Sequence, residues 1–77
     1  MVGSMKYPKA QSVMHMYREL LTTGMLHRLE VMKDLSIDHH TFRRYIQEIR
    51  SFIRNFGLNE SLEYSKADDT YYLYEAE

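Results

Sequence analysis

The sequence predicts a small α+β domain: three helices, a short first strand between the first two, and a C-terminal β-hairpin. Three observations carry that expectation. Residues 38–57, DHHTFRRYIQEIRSFIRNFG, hold apolar side chains at three- and four-residue steps, the period of one helix face. After Gly57 the period changes to alternation, with Leu62 and Tyr64, then Tyr71 and Leu73, on one side of extended chain. Gly24 breaks the N-terminal helical stretch and is followed by Met25-Leu26-His27, too short for a helix of its own.

In chain order, residues 1–8 read as a flexible N-terminus and residues 9–77 as the domain. Pro8 stops a helix from extending backwards through it. The first helix is expected from Lys9 to Thr22 or Thr23, with Ala10, Val13, Met14, Tyr17, Leu20 and Leu21 as its apolar stripe. Met14 and Met16 read as core filler, because methionine adapts to irregular gaps. Met25-Leu26-His27 is a short strand that can add to the hairpin, which would be marginal alone. Residues 28–35, RLEVMKDL, make a second helix with Leu29, Met32 and Leu35 inward and Val31 alongside. Ser36-Ile37 is then a tight connection to the third helix.

The third helix organises the chain. Asp38 is a suitable N-cap, since its carboxylate can accept from the first free backbone amides. Gly57 suits the left-handed position after the helix, with Leu58 folding back onto Ile53. Phe42, Tyr45, Ile46, Ile49, Phe52, Ile53 and Phe56 form the inward stripe. Arg43, Gln47, Arg50 and Arg54 follow the same steps on another side, with Arg44 beside them. Residues 61–65 and 70–74 are the expected hairpin strands, joined by the polar break Lys66-Ala67-Asp68-Asp69.

Composition bounds the function. At 77 residues the chain is one small domain that buries a modest fraction of its surface. It has no cysteine, hence no disulfide or thiolate metal site, which fits a reducing cytoplasm. No apolar run approaches the roughly twenty residues a membrane span requires, and MVGSMKYPKAQ lacks the apolar stretch of a signal peptide. A cytoplasmic location without membrane association is the expectation. Net charge is −1, but its distribution is uneven. Residues 1–56 hold nine basic side chains against five acids, while residues 57–77 hold Lys66 against six acids.

At Asp38 to Ile49, DHHTFRRYIQEI, the chain resembles the recognition helix of bacterial winged helix-turn-helix domains of the DeoR type, including those at the N-termini of regulators that carry a WYL ligand domain. Asp38 takes the cap place of that pattern, Thr41 its threonine, Arg44 its arginine, and Ile46 and Ile49 its spaced aliphatics. Leu62-Glu63-Tyr64 and Tyr71-Tyr72-Leu73 resemble the family's wing, and the likeness spans roughly residues 10–74. Two positions depart from it. Tyr45 stands where the family usually has aspartate, and the hairpin is acidic where many wings carry a basic or glycine-rich tip. The resemblance implies a winged helix-turn-helix fold and sequence-specific double-stranded DNA binding, as a small bacterial or phage transcription regulator or the DNA-binding module of one.

In that geometry the N-terminal half of the third helix enters the major groove. His39, His40, Thr41, Arg43, Arg44 and Gln47 are then the candidate DNA-binding residues. Arg43 and Gln47 are assigned to base edges, since arginine pairs bidentately with guanine and glutamine with adenine. Arg44 stands between base reading and phosphate anchoring. His39 and His40 lie in the first turn, where free amides and the dipole favour a phosphate, and Thr41 can donate its hydroxyl there. Arg50 and Lys66 are candidate phosphate contacts; Arg50 and Arg54 can equally be solvated or pair with Glu48 or the acidic end. Useful specificity from so small a domain calls for two copies on a two-fold site, so a homodimer is expected, with the first helix or the hairpin as its surface.

Other chemistry finds little support. His15, His27, His39 and His40 contain no pair four residues apart, so no metal site is expected. No glycine-rich phosphate loop or nucleophile elbow occurs, and neither enzyme activity nor a cofactor is expected. Seven tyrosines are unusual for this length. Tyr64 and Tyr71 are expected to face the core, and Tyr72 and Tyr74 the opposite side of the hairpin, as cross-strand packing or as a contact surface. That leaves an alternative function: a protein-interaction module whose acidic, tyrosine-rich hairpin binds a protein partner.

Overall fold

In the computed structural model, residues 6–75 are described. Helix α1 runs Lys9–Thr23, strand β1 Met25–His27, α2 Arg28–Leu35, α3 His39–Asn55, β2 Glu60–Ser65 and β3 Thr70–Glu75. Five residues of the expected flexible terminus, 1–5, and the last two of the chain lie outside the described residues.

The helix ends follow from local chemistry. Gly24 adopts φ +83 and its amide reaches the Leu20 carbonyl, closing α1. Ser36 takes the same left-handed role after α2 at φ 55, with Ile37 N bonded to Met32 O at 3.0 Å. Asp38 caps α3, its carboxylate accepting from Thr41 N at 2.8 Å. Past the C-terminus of α3, Gly57 N meets Arg54 O at 3.2 Å and Leu58 N meets Ile53 O at 2.9 Å, the paired bonds of a Schellman ending.

The three strands form one antiparallel sheet in the order β1-β3-β2. Leu26 stands opposite Tyr71, and Leu62 opposite Leu73. Pairing β1 with β3 gives the hairpin the third strand it needs. The core lies between the helices and one sheet face. It comprises Met16 and Leu20 of α1, Leu26 of β1, Val31 and Leu35 of α2, Ile37, five residues of α3 and Leu62 of β2. Phe42, Tyr45, Ile46, Ile49 and Ile53 are the α3 contribution, so α3 spans the domain as its central beam.

Several side chains expected inside stand outside. Leu29 is 63% exposed, because α2 has only two turns and buries the narrow Val31–Leu35 stripe. Met14 and Leu21 are exposed while Met16 fills the core, so α1 packs through Ser12, Met16 and Leu20. Phe52 and Phe56 are also exposed, since Ile53 and Leu58 close that end of the core. Tyr64 is exposed as well, its ring resting on Tyr71 at 4.8 Å.

Candidate functional site

Helix α3 carries the site. Its core stripe fixes the rotation of the cylinder and turns His40, Arg43, Arg44 and Gln47 to solvent together, where they line one shallow groove. None of Arg43, Arg44 and Arg54 has an ion-pair partner among the described residues. Glu48, the one acid on α3, pairs with Lys9 at 3.3 Å. The exposed cations on this surface are therefore not neutralised by carboxylates among the described residues.

The first turn is more constrained. Thr41 supplies its amide, and then its side chain, to Asp38, and those bonds hold the Asp38 carboxyl below its usual range. The Thr41 hydroxyl is thus part of the cap. His39 lies against His40 with ring centroids 5.8 Å apart, and its Nδ1 is 3.5 Å from the Arg28 guanidinium. Arg28 was not a candidate from sequence, yet it sits beside the start of α3.

Arg28 also joins this surface to the hairpin turn. Its Nε donates to Asp69 Oδ1 at 2.8 Å, and its backbone amide bonds to Asp69 O at 3.2 Å. Tyr64 Oη donates to the same carboxylate oxygen at 2.7 Å. The guanidinium and then the phenol hold the Asp69 carboxyl below its ordinary range. Asp68 is lowered as well, by Tyr72 Oη first and Ser65 Oγ next. In return Asp69 raises Tyr64, and Asp68 raises Tyr72. Both acids of the turn are engaged inside the molecule, and Lys66 is left exposed at the tip.

Arg50 sits elsewhere. It is half-buried, donates Nη2 to the Leu62 carbonyl at 3.0 Å and lies 5.9 Å from the centre of the Tyr71 ring. It pairs with neither Glu48 nor the acidic end among the described residues, and its guanidinium ties α3 to β2. The outer sheet face carries Tyr72 and Tyr74 with ring centroids 6.4 Å apart; Tyr74 is 56% exposed and Tyr72 half-buried against Asp68.

Among the described residues, no group of three or more His, Asp or Glu is placed to hold a metal ion, and no helix is long and apolar enough to cross a membrane. Comparison of the chain with protein-family models, with curated proteins and with solved structures returns no match. Any functional reading therefore stands on the geometry of α3 and its surroundings.

Proposed function

We propose that this chain is a winged helix-turn-helix domain of the DeoR type that binds double-stranded DNA through α3, as a small bacterial or phage transcription regulator or the binding module of one. The carrying observation is that His40, Arg43, Arg44 and Gln47 share one exposed surface of α3 with no ion pair among the described residues. The helix order and the sheet order β1-β3-β2 are compatible with the fold. In this reading α2 and α3 form the helix-turn-helix, and the β2–β3 hairpin is the wing. Arg43 and Gln47 read base edges in the major groove, and Arg44 reads a base or anchors a phosphate. His39, with Arg28 beside it, faces phosphate at the helix N-terminus. Lys66 at the turn is the wing's cationic contact, because the neighbouring acids are already paired. No catalytic step or cofactor belongs to this reading.

The test is binding to fragmented genomic DNA across a salt series. Affinity that falls steeply with salt supports the proposal, since each neutralised phosphate releases counterions. No binding at low salt, or a flat response, defeats it.

A second reading is favoured by the exposed ring of Tyr74 on the outer sheet face, where Glu63 stands opposite Tyr72. Here the domain is a protein-interaction module that binds its partner through the hairpin. The Arg43→Ala/Arg44→Ala variant separates the two readings. It abolishes binding in the first and leaves partner binding unchanged in the second.

A further inference from the structure

The described surface holds a second organised feature, on the opposite flank of α1 from its core stripe. Ala10, Met14, Tyr17 and Leu21 are spaced four, three and four residues apart. That is the spacing of a seam along which two helices pack side by side. The core of the monomer takes only Tyr17 from this seam, and that side chain is half-buried against Phe52; α1 buries Ser12, Met16 and Leu20 fully. Met14 stands 63% exposed and Leu21 54% exposed. With Ile49 and Phe52 of α3, the seam walls an open apolar groove between α1 and α3.

We propose that this groove is the contact face of a two-fold dimer, its occupant the α1 helix of a second copy of this chain. Two features of the groove select that occupant. The first is the seam itself, since an antiparallel α1 presents an identical four-three-four pattern. The second is charge. Arg18 stands on the α1 rim of the groove without an ion-pair partner among the described residues, and Glu48 stands on the α3 rim, bonded through Oε2 to Lys9 at 3.3 Å. The centre of the seam lies between Met14 and Tyr17. A two-fold axis there sets each Arg18 four residues, about 6 Å along the helix, from Lys9 of the other copy, a span its long side chain bridges toward the Lys9–Glu48 end. Both guanidinium–carboxylate pairs form at once, as an isologous interface requires.

The dimer leaves Arg43 and Gln47 of α3 open, with Glu48, one turn from Arg44, at the border of the two surfaces. Phe52 lies five residues beyond Gln47, about 140° around the helix, so the groove and the Gln47 surface point in different directions. The inference does not rest on DNA binding, and its test contains no DNA.

The experiment is sedimentation equilibrium of the full chain from micromolar to near-millimolar concentration, with circular dichroism as the check on folding. The expected result is a monomer–dimer equilibrium. Met14→Glu and Leu21→Glu, both at exposed positions, each weaken it at least tenfold with helix content intact. Arg18→Glu and Glu48→Lys each self-associate more weakly than the parent, because each places like charges across the axis. An equimolar mixture of those two variants associates at least tenfold more tightly than either alone, since both cross-axis pairs are then opposite in sign. A parent chain that stays monomeric throughout overturns the proposal. So does a dimer indifferent to Met14→Glu and Leu21→Glu, or a mixture that behaves as the sum of its parts.

Discussion

Arg28 and Asp69 are bound twice: guanidinium Nε to carboxylate Oδ1 at 2.8 Å, and backbone amide to backbone carbonyl at 3.2 Å. The first residue of α2 is thereby fixed to the hairpin turn, and Tyr64 completes the arrangement on the same oxygen. A folded-state carboxyl below its usual range contributes stability at pH values above its unfolded pKa of about 3.9. That contribution is lost as pH falls through the folded value. Asp68 is shifted the same way and acts in the same window. Urea midpoints measured from neutral pH downward should fall for the parent below about pH 4. Asp69→Asn should fall less steeply, and Asp68→Asn/Asp69→Asn less steeply still. Equal slopes for all three would exclude these carboxyls as the acid-sensitive groups.

Tyr17 predicts the behaviour at the other end of the pH scale. Its hydroxyl donates to Glu60 Oε1 at 2.7 Å, and burial first, then Glu60, pushes the phenol up to about 12. The folded state thus disfavours the phenolate. The stability this group contributes is complete below the unfolded value of about 10 and declines as pH climbs from there. Tyr17→Phe should cost about 1 kcal/mol near neutrality, the net worth of one hydrogen bond. It should also remove this group's part of the alkaline loss, followed by urea titration at rising pH.

Helix ends supply a pair of opposite predictions. Gly57 has φ +61 with nothing within 4 Å of an added Cβ, so Gly57→Ala carries a purely conformational cost. It should destabilise by about 1 kcal/mol. Ser36 occupies the same region at φ 55 with a Cβ already present. Ser36→Gly relieves about 1–2 kcal/mol of left-handed strain and returns about 0.5–1 kcal/mol to chain entropy. The net is a gain of about 0.5 kcal/mol, read from chemical denaturation.

Ser12 offers a larger gain. It is 1% exposed in the α1 core stripe, and its hydroxyl has no hydrogen-bond partner among the described residues. An unpaired buried hydroxyl costs about 1–3 kcal/mol, and alanine is the better helix former. Ser12→Ala should therefore stabilise by about 1 kcal/mol or more. A loss of stability would show that the hydroxyl has a bound partner in solution.

Element boundaries were legible because their punctuation is chemical. Gly24, Asp38 and Gly57 stop or start helices at the residues where they stand, and the change of period after Gly57 marks the hairpin. Inward and outward faces were less legible. Leu29, Met14, Leu21, Phe52 and Phe56 satisfy helical periodicity, but burial depends on which neighbour arrives, and a domain this small has too few elements to cover two faces of α1. Arg28 and the engagement of Arg50 by Leu62 O depend on contacts between distant parts of the chain. One local signal for Arg28 existed. A cation at the first position of a helix opposes the helix dipole, which implies a compensating acid elsewhere, and Asp69 is that acid.

Three of the four arginines of α3, Arg43, Arg44 and Arg50, should separate by what their guanidinium groups now touch. Arg43 and Arg44 are exposed and unpaired among the described residues, so alanine at either should leave the melting temperature nearly unchanged. If α3 reads DNA, Arg43→Ala should weaken binding by about 1–3 kcal/mol and relax preference at one base pair. A phosphate-anchoring Arg44 should instead lower affinity uniformly and reduce the salt slope by about one. Arg50 should behave in the reverse manner. Its guanidinium is committed to the Leu62 carbonyl and the Tyr71 ring, so Arg50→Ala removes a charged donor from the β2 backbone. The expected loss is about 1 kcal/mol of stability, with DNA affinity of the folded protein intact. Anisotropy titrations at several salt concentrations, paired with thermal melts, read both quantities. Arg50→Ala abolishing binding while Arg43→Ala and Arg44→Ala leave it untouched would move the interface away from the exposed groove of α3.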